Sequence, residues 1–321
     1  MIGRYEIEIY NNKVHYQLTI TRNITIIRGD SATGKSELIR LLTLYNSNPS
    51  SSGITLICDK KCIVLNDENW ELFTGSYTDR IFFIDEGNEF LGKKEFADVI
   101  KSADNYFVIV SRESFPQLPY SVDEIYGLRE SEDSGKYRQA KRFYNEMYKI
   151  YGKMPGIVNS PEIIITEDSN SGYEFFNAIF KDKCVSAGGK SNVKNLIVQH
   201  LDQQVLAIVD GAAFGSEMQK CMELSFGSRE GVSIFAPESF EYLILKSGII
   251  EVPKAVIDET WNYADSVRFF SWEEYYTYYL SDVTRNEISQ YSKKKLNEYY
   301  KTKGNLERIC EILPDDIIGD G

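Results

Sequence analysis

Early in the chain, Gly29-Asp30-Ser31-Ala32-Thr33-Gly34-Lys35-Ser36 fills every fixed position of the pattern G-x-x-x-x-G-K-[ST]. Glycine at the fixed positions lets the backbone curl tightly enough for its N–H groups to point at a bound phosphate. A helix starting there adds the positive end of its dipole. Lys35 can then reach the β- and γ-phosphates, and the Ser36 hydroxyl suits Mg²⁺, which prefers near-octahedral oxygen ligands. The chemistry expected of residues 29–36 is therefore binding of ATP with Mg²⁺. Lys35 is expected to be exposed in the empty loop. A chance glycine turn is the rival explanation. Against it, the motif falls between a strand-like and a helix-like segment, the context it requires.

Ile81-Phe82-Phe83-Ile84-Asp85-Glu86 places two acids at the carboxyl end of a buried strand, the end at which open α/β sheets bind ligands. It resembles a Walker B segment. Asp85 would hold Mg²⁺ through water, and Glu86 would orient or deprotonate the attacking water, which makes Glu86 and Lys35 the candidate catalytic residues. The next apolar run ends in Ser111-Arg112-Glu113, from which a polar side chain can sense a γ-phosphate. No LSGGQ signature occurs. Arg112 and Arg129 are candidate arginine fingers; a second subunit could supply one instead, so a homo-oligomer is expected.

In the second half, Glu167 and Asp210 each end a strand-like run, and Glu241 follows a third within Pro237-Glu238-Ser239-Phe240-Glu241-Tyr242. Carboxylates at neighbouring strand ends collect hard cations for phosphodiester chemistry, so these three are candidate metal ligands. With the Gly188-Gly189-Lys190 turn and the Asp210-Gly211 pair, residues 162–246 resemble a Toprim domain. This is the fold that the OLD (overcoming lysogenization defect) nucleases join to a P-loop ATPase. Ser239-Phe240-Glu241-Tyr242 also approximates the S-I-E-N-Y motif of Toprim-like modules in phage-defence proteins. The resemblance implies metal-dependent nuclease activity on nucleic acid and a role in defence against phage. Three positions depart from the family pattern: Asp168 stands in place of a glycine, Ser171 near an expected acid, and Ala212 in place of the second aspartate of D-x-D. Asp168 is a substitute ligand candidate. The departures favour a second reading, an ATP-dependent assembly or sensor protein whose degenerate Toprim-like domain recruits or controls an effector protein. Cys184 stands where a second phosphate loop would need its first glycine, so Gly188-Gly189-Lys190-Ser191 is expected to bind no second ATP.

The elements that must position these residues follow from apolar periodicity. Residues 5–10 and 14–20 alternate around Asn11-Asn12 as a hairpin, 24–28 form a strand and 36–45 a helix. Residues 54–58 and 62–65 read as an inserted hairpin, 80–85 and 106–110 as buried strands, and 93–102 as a helix. The β/α rhythm restarts with strands at 163–166, 184–187, 205–210 and 233–235 and helices at 173–180 and 192–201. The fold class is α/β. A P-loop ATPase domain is expected over 1–130, a basic and aromatic linker helix over 131–160, a Toprim-like domain over 161–252 and a helical segment over 253–321. In the linker, Tyr137, Tyr144, Tyr148 and Tyr151 fall on one helical face among lysines and arginines, a packing face rather than a platform for single-stranded bases. Lys293-Lys294-Lys295 reads as a solvated helix face.

Formal net charge over the 321 residues is −12, so nucleic acid would have to meet a local basic patch. The five cysteines lack the paired spacing of a disulfide or zinc framework, which fits a reducing cytosol, and Cys58 and Cys62 read as buried thiols. No apolar run approaches the about 20 residues that span a bilayer, so a cytoplasmic protein without membrane contact is expected.

Overall fold

Ile7 and Ile9 point inward between Glu6 and Glu8, and Val14, Tyr16, Leu18 and Ile20 do so between more polar neighbours, which makes β1 (Tyr5–Tyr10) and β2 (Val14–Ile20) an antiparallel pair with one buried face. The Asn11 side chain closes their turn by accepting from the backbone N–H groups of Lys13 and Val14 at 2.8 and 2.9 Å. β3 (Ile24–Ile27) is buried throughout, and α1 (Lys35–Ser47) turns Leu38, Ile39, Leu41 and Leu42 to the core. Further along come β4 (Thr55–Ile57), β5 (Lys61–Leu65), α2 (Trp70–Ser76), β6 (Arg80–Asp85), α3 (Lys94–Ser102), β7 (Tyr106–Val110), β8 (Ile125–Arg129), β9 (Arg142–Tyr144) and β10 (Glu146–Lys149).

The computed structural model describes residues 1–29, 34–130, 142–144, 146–152 and 161–314, and these divide into two compact units. The first holds residues up to 152 together with Trp261–Phe270, which is tied in where Gly3 N–H donates to the Trp261 carbonyl and Asn23 to that of Phe270. Its main sheet has the order β10-β8-β3-β7-β6-β5; the strands from β8 to β5 are parallel and β10 is antiparallel. Alternate residues of the central strands feed two cores. Ile81, Phe83, Val108 and Val110 pack with α1 and with a smaller sheet ordered β4-β1-β2-β9, while Phe82, Ile84, Phe107 and Ile109 pack with Trp70, Phe90 and Phe96 on the other face. Each such buried phenylalanine contributes about 2–3 kcal/mol by leaving water.

Two expectations are corrected here. Residues 54–58 and 62–65 do not pair with each other: β4 joins β1, whereas β5 lies parallel to β6 as the edge of the main sheet. The exposed backbone of β5 is covered by the Asn46 side chain, which donates to the Cys62 carbonyl and accepts from Val64 N–H, both at 2.9 Å. The basic and aromatic stretch is not a helix where it is described, because Arg142–Tyr144 adds to β2 and Glu146–Lys149 to β8. Aromatic residues serve strands as well as helices, and two sheet edges were open to receive them. Gly127 makes the second pairing possible, since a Cβ there would sit 2.3 Å from the Tyr148 ring. Tyr137 lies outside the described residues.

In the second unit β11 (Ile163–Thr166), β12 (Cys184–Ser186), β13 (Val205–Ile208) and β14 (Val232–Phe235) form a fully parallel sheet in the order β12-β11-β13-β14. Around it stand α4 (Ser171–Phe180), α5 (Lys190–Gln199), α6 (Gly215–Gly227), α7 (Phe240–Lys246), α8 (Ala255–Asp258), α9 (Trp272–Val283) and α10 (Lys303–Cys310). Continuous apolar runs such as Ile163-Ile164-Ile165 are what a parallel strand covered on both faces requires. The molecule is thus a mixed α/β protein. The final segment is only partly helical: α9 and α10 form, but Lys293–Lys295 lies in a turn.

Candidate functional site

Register gathers the first set of residues. Ile27 pairs with Val110, and Val110 with Asp85, so these three stand in one row across β3, β7 and β6. Gly29, Ser111-Arg112 and Glu86 therefore leave the sheet at one edge, the carboxyl end. The chain reaches β5 from β3 by way of α1, returns through β6 and β7, and crosses to β8 on the far side of β3. Such a reversal of strand order opens a crevice for ligands.

Gly34 begins α1 with φ +80°, and a Cβ there would meet the Tyr144 ring at 2.8 Å and the Tyr16 hydroxyl at 2.9 Å. Only glycine fits. Tyr16 and Tyr144 stack at 5.0 Å, and Tyr16 donates to the Gly34 carbonyl at 2.6 Å, so an aromatic pair supports the loop from beneath. Neither tyrosine was legible as a site residue: inward alternation marks Tyr16 only as core, and Tyr144 reads as helical. Lys35 is 6% exposed and donates to the Gly29 carbonyl at 2.6 Å, which corrects the expectation of an exposed lysine. Ser36 is exposed on the first turn of α1. Asp30, Ser31, Ala32 and Thr33 lie outside the described residues.

Desolvation, with help from the Glu86 charge, raises the Asp85 carboxyl above the usual carboxylate range, while the Glu86 N–H at 3.0 Å and the Lys35 ammonium pull it back. Glu86 accepts from Arg112 N–H at 3.2 Å, and the Arg112 guanidinium stands 3.7 Å away. Both side chains are well exposed, so this pair is a weak tether. Arg129 pairs with Glu146 at 3.0 Å and covers the Tyr148 ring at the sheet edge. Arg28, which sequence reading missed, is buried and donates to the Glu113 carbonyl and the Ser114 hydroxyl at 3.1 and 3.2 Å, fixing the loop after β7. A cavity of about 870 Å³ runs along β5, lined by Asn46, Lys60, Asn66, Phe73 and Tyr77, and reaches Asp85 at one end.

In the second unit Glu167 and Asp210 follow β11 and β13 and Glu241 lies in the first turn of α7, and protein groups engage the carboxylates of Glu167 and Glu241. Glu167 follows β11 and accepts from Asp210 N–H at 3.0 Å. Gly211 is pressed against the next strand's loop, where a Cβ would meet the Ala236 carbonyl oxygen at 2.6 Å, and Ala212 is buried. Asp168 caps α4, accepting from the N–H groups of Asn170, Gly172 and Tyr173 at 3.0–3.3 Å. Glu241 is buried and accepts the Tyr291 hydroxyl at 2.6 Å, itself 2.7 Å from the Ser171 hydroxyl. Lys190 donates to the Ala213 carbonyl at 3.2 Å.

Two residues that sequence reading did not place here complete the group. Glu273, in the first turn of α9, forms an ion pair with Lys293. Lys293 is therefore not on a solvated helix face. Desolvation alone would lower its pKa, but Glu241, Glu273 and Asp210 outweigh it and raise it above the ordinary lysine value. Desolvation and neighbouring carboxylates push Asp210 well above the usual range, and desolvation pushes Glu167 up to about 7. A lysine supplies compensating charge to the cluster. Among the described residues, no group of three or more His, Cys, Asp or Glu is arranged to hold a metal ion. As folded, the Glu241 carboxylate is taken by the Tyr291 hydroxyl and that of Glu273 by the Lys293 ammonium. None of the described helices is long and apolar enough to cross a membrane. No protein-family model, curated protein or solved structure matches the chain.

Proposed function

We propose that the protein binds and hydrolyses ATP at the carboxyl end of its six-stranded sheet. The observation that carries this reading is the common row of Ile27, Val110 and Asp85, from which the glycine loop with Lys35, Ser111-Arg112 and Glu86 all emerge. On binding, the triphosphate would replace the Gly29 carbonyl as the partner of the Lys35 ammonium, a charge-assisted bond in place of a neutral one. Ser36 and Asp85 are the residues that would hold Mg²⁺, whose charge offsets that of the phosphates. Glu86 would accept the proton of the water that attacks the terminal phosphorus as the bond to the ADP oxygen breaks. An arginine from a second copy would complete the charge stabilisation, so that association of subunits depends on nucleotide.

For the second unit two readings compete, a Toprim-like nuclease acting on nucleic acid and a noncatalytic domain that recruits or controls an effector. The engagement of Glu241 by Tyr291, Glu273 by Lys293 and Asp168 by the α4 N-terminus favours the second. A role in phage defence is supported by the resemblance to OLD-type proteins. The central experiment is phosphate release from Mg·ATP by wild type and Glu86→Gln: the variant is expected to bind ATP normally and turn it over at least about a hundredfold more slowly. Equal turnover would remove Glu86 from the reaction.

A further inference from the structure

The segment between α9 and α10 is fastened across the strand ends of the second unit. Tyr291 N–H donates to the Thr284 hydroxyl at 2.9 Å, Ser171 N–H to the Lys293 carbonyl at 3.1 Å, and the Tyr300 hydroxyl to the Ser289 carbonyl at 2.6 Å. The Asn297 side chain bonds the Ile288 and Gln290 carbonyls at 2.9 and 3.3 Å. Tyr291 lies in the coil after Gln290 and Lys293 opens the turn that follows, and both side chains reach acids of this group. One brings a neutral donor to Glu241, and the other an ammonium to Glu273 with Asp210 and Glu241 in its field. A hard divalent cation would need several of these same oxygens at once. A lysine ammonium is a compact point charge with three donors, which suits it to such a position.

We propose that the Lys293 ammonium, paired with Glu273, is the resident cation of the Asp210, Glu241 and Glu273 cluster, held in place of a divalent metal ion. The second unit then takes up Mg²⁺ or Mn²⁺ only when Lys293 is removed or withdrawn. This rests on reading the strand-end acids as a Toprim-like set, and it assigns that set a regulator within the chain. A metal at this position would have to displace the lysine and open the segment's hydrogen bonds, so the segment guards the acids.

The test is titration of the full-length protein with Mn²⁺ in the absence of nucleotide, with free Mn²⁺ read by electron paramagnetic resonance. Wild type is expected to show no Mn²⁺ site that depends on Asp210. Lys293→Met is expected to gain one, and Lys293→Met with Asp210→Asn is expected to lose it again. An Asp210-dependent site in the wild type would overturn the inference and leave the Toprim-like reading standing. A folded Lys293→Met protein that binds no more Mn²⁺ than wild type would overturn both. Should Lys293→Met not fold, reductive methylation of the native protein decides: Lys293 is expected to react more slowly than the exposed Lys294 and Lys295, and equal rates would refute its placement.

Discussion

At the carboxyl end of the six-stranded sheet, Asp85 lies in the field of Lys35, and Glu86 is met by the exposed Arg112 through its backbone N–H and its guanidinium. At the same end of the four-stranded sheet, Glu167 receives a backbone N–H, Glu241 a buried tyrosine hydroxyl and Glu273 a lysine. Topology alone delivers acids to both edges, because parallel strands place their following loops together. Availability is a separate property. In the first unit Asp85 lines a cavity and Glu86 is exposed; in the second, a tyrosine and a lysine have taken the role of the ligand. A strand-end carboxylate thus indicates where a site can be, and its partners decide whether one is open.

The sharpest way to break this comparison is at Lys35. If its bond to the Gly29 carbonyl is a resting contact that a phosphate replaces, Lys35→Ala lowers ATP affinity roughly a hundredfold, since a charge-assisted contact is lost. Isothermal titration with Mg·ATP checks this, and unchanged affinity would close the first site as well.

A smaller effect concerns the protons of the second unit. The folded-state pKa of Glu167, about 7, lies above the ordinary 4.5, so the folded chain binds this proton more tightly than the unfolded chain does. Its contribution to stability is complete below about pH 4.5 and is lost as pH rises through about 7. Glu167→Gln keeps an acceptor for Asp210 N–H and cannot ionise. Relative to wild type it should therefore gain roughly 2 kcal/mol between pH 5 and pH 8, with Asp210 still titrating in both proteins. Urea midpoints at the two pH values measure this, and parallel curves would show that Glu167 is not held protonated.

The least effect is expected beneath the glycine loop. Tyr16→Phe removes one hydrogen bond to the Gly34 carbonyl and leaves the stack on Tyr144, which should cost about 1 kcal/mol and appear as a severalfold loss of ATP affinity. A variant with wild-type affinity would make the aromatic pair simple packing.

The RIFFID strand and the helix after Gly34 were legible because each is a local pattern, an unbroken apolar run in the one and apolar residues at helical spacing in the other. The parallel strands of the second sheet were legible on the same grounds. Tyr144 and Tyr148 were not, because spacings of seven, four and three fit a helix while the edges of β2 and β8 that claim these residues lie elsewhere in the chain. Residues 54–65 gave two strands correctly and paired them wrongly, since a strand's partner is not encoded in its own alternation.

By itself the sequence determined an α/β chain with acids at the ends of its strands, because apolar periodicity and the residues that interrupt it are short-range properties. Only tertiary structure decided that Lys35 turns inward to Gly29 and that Lys293 reaches Glu273 from twenty residues away. Charge compensation acts through space. A carboxylate takes whichever cation or donor the fold brings within reach, and nothing in its own neighbourhood of the sequence specifies which.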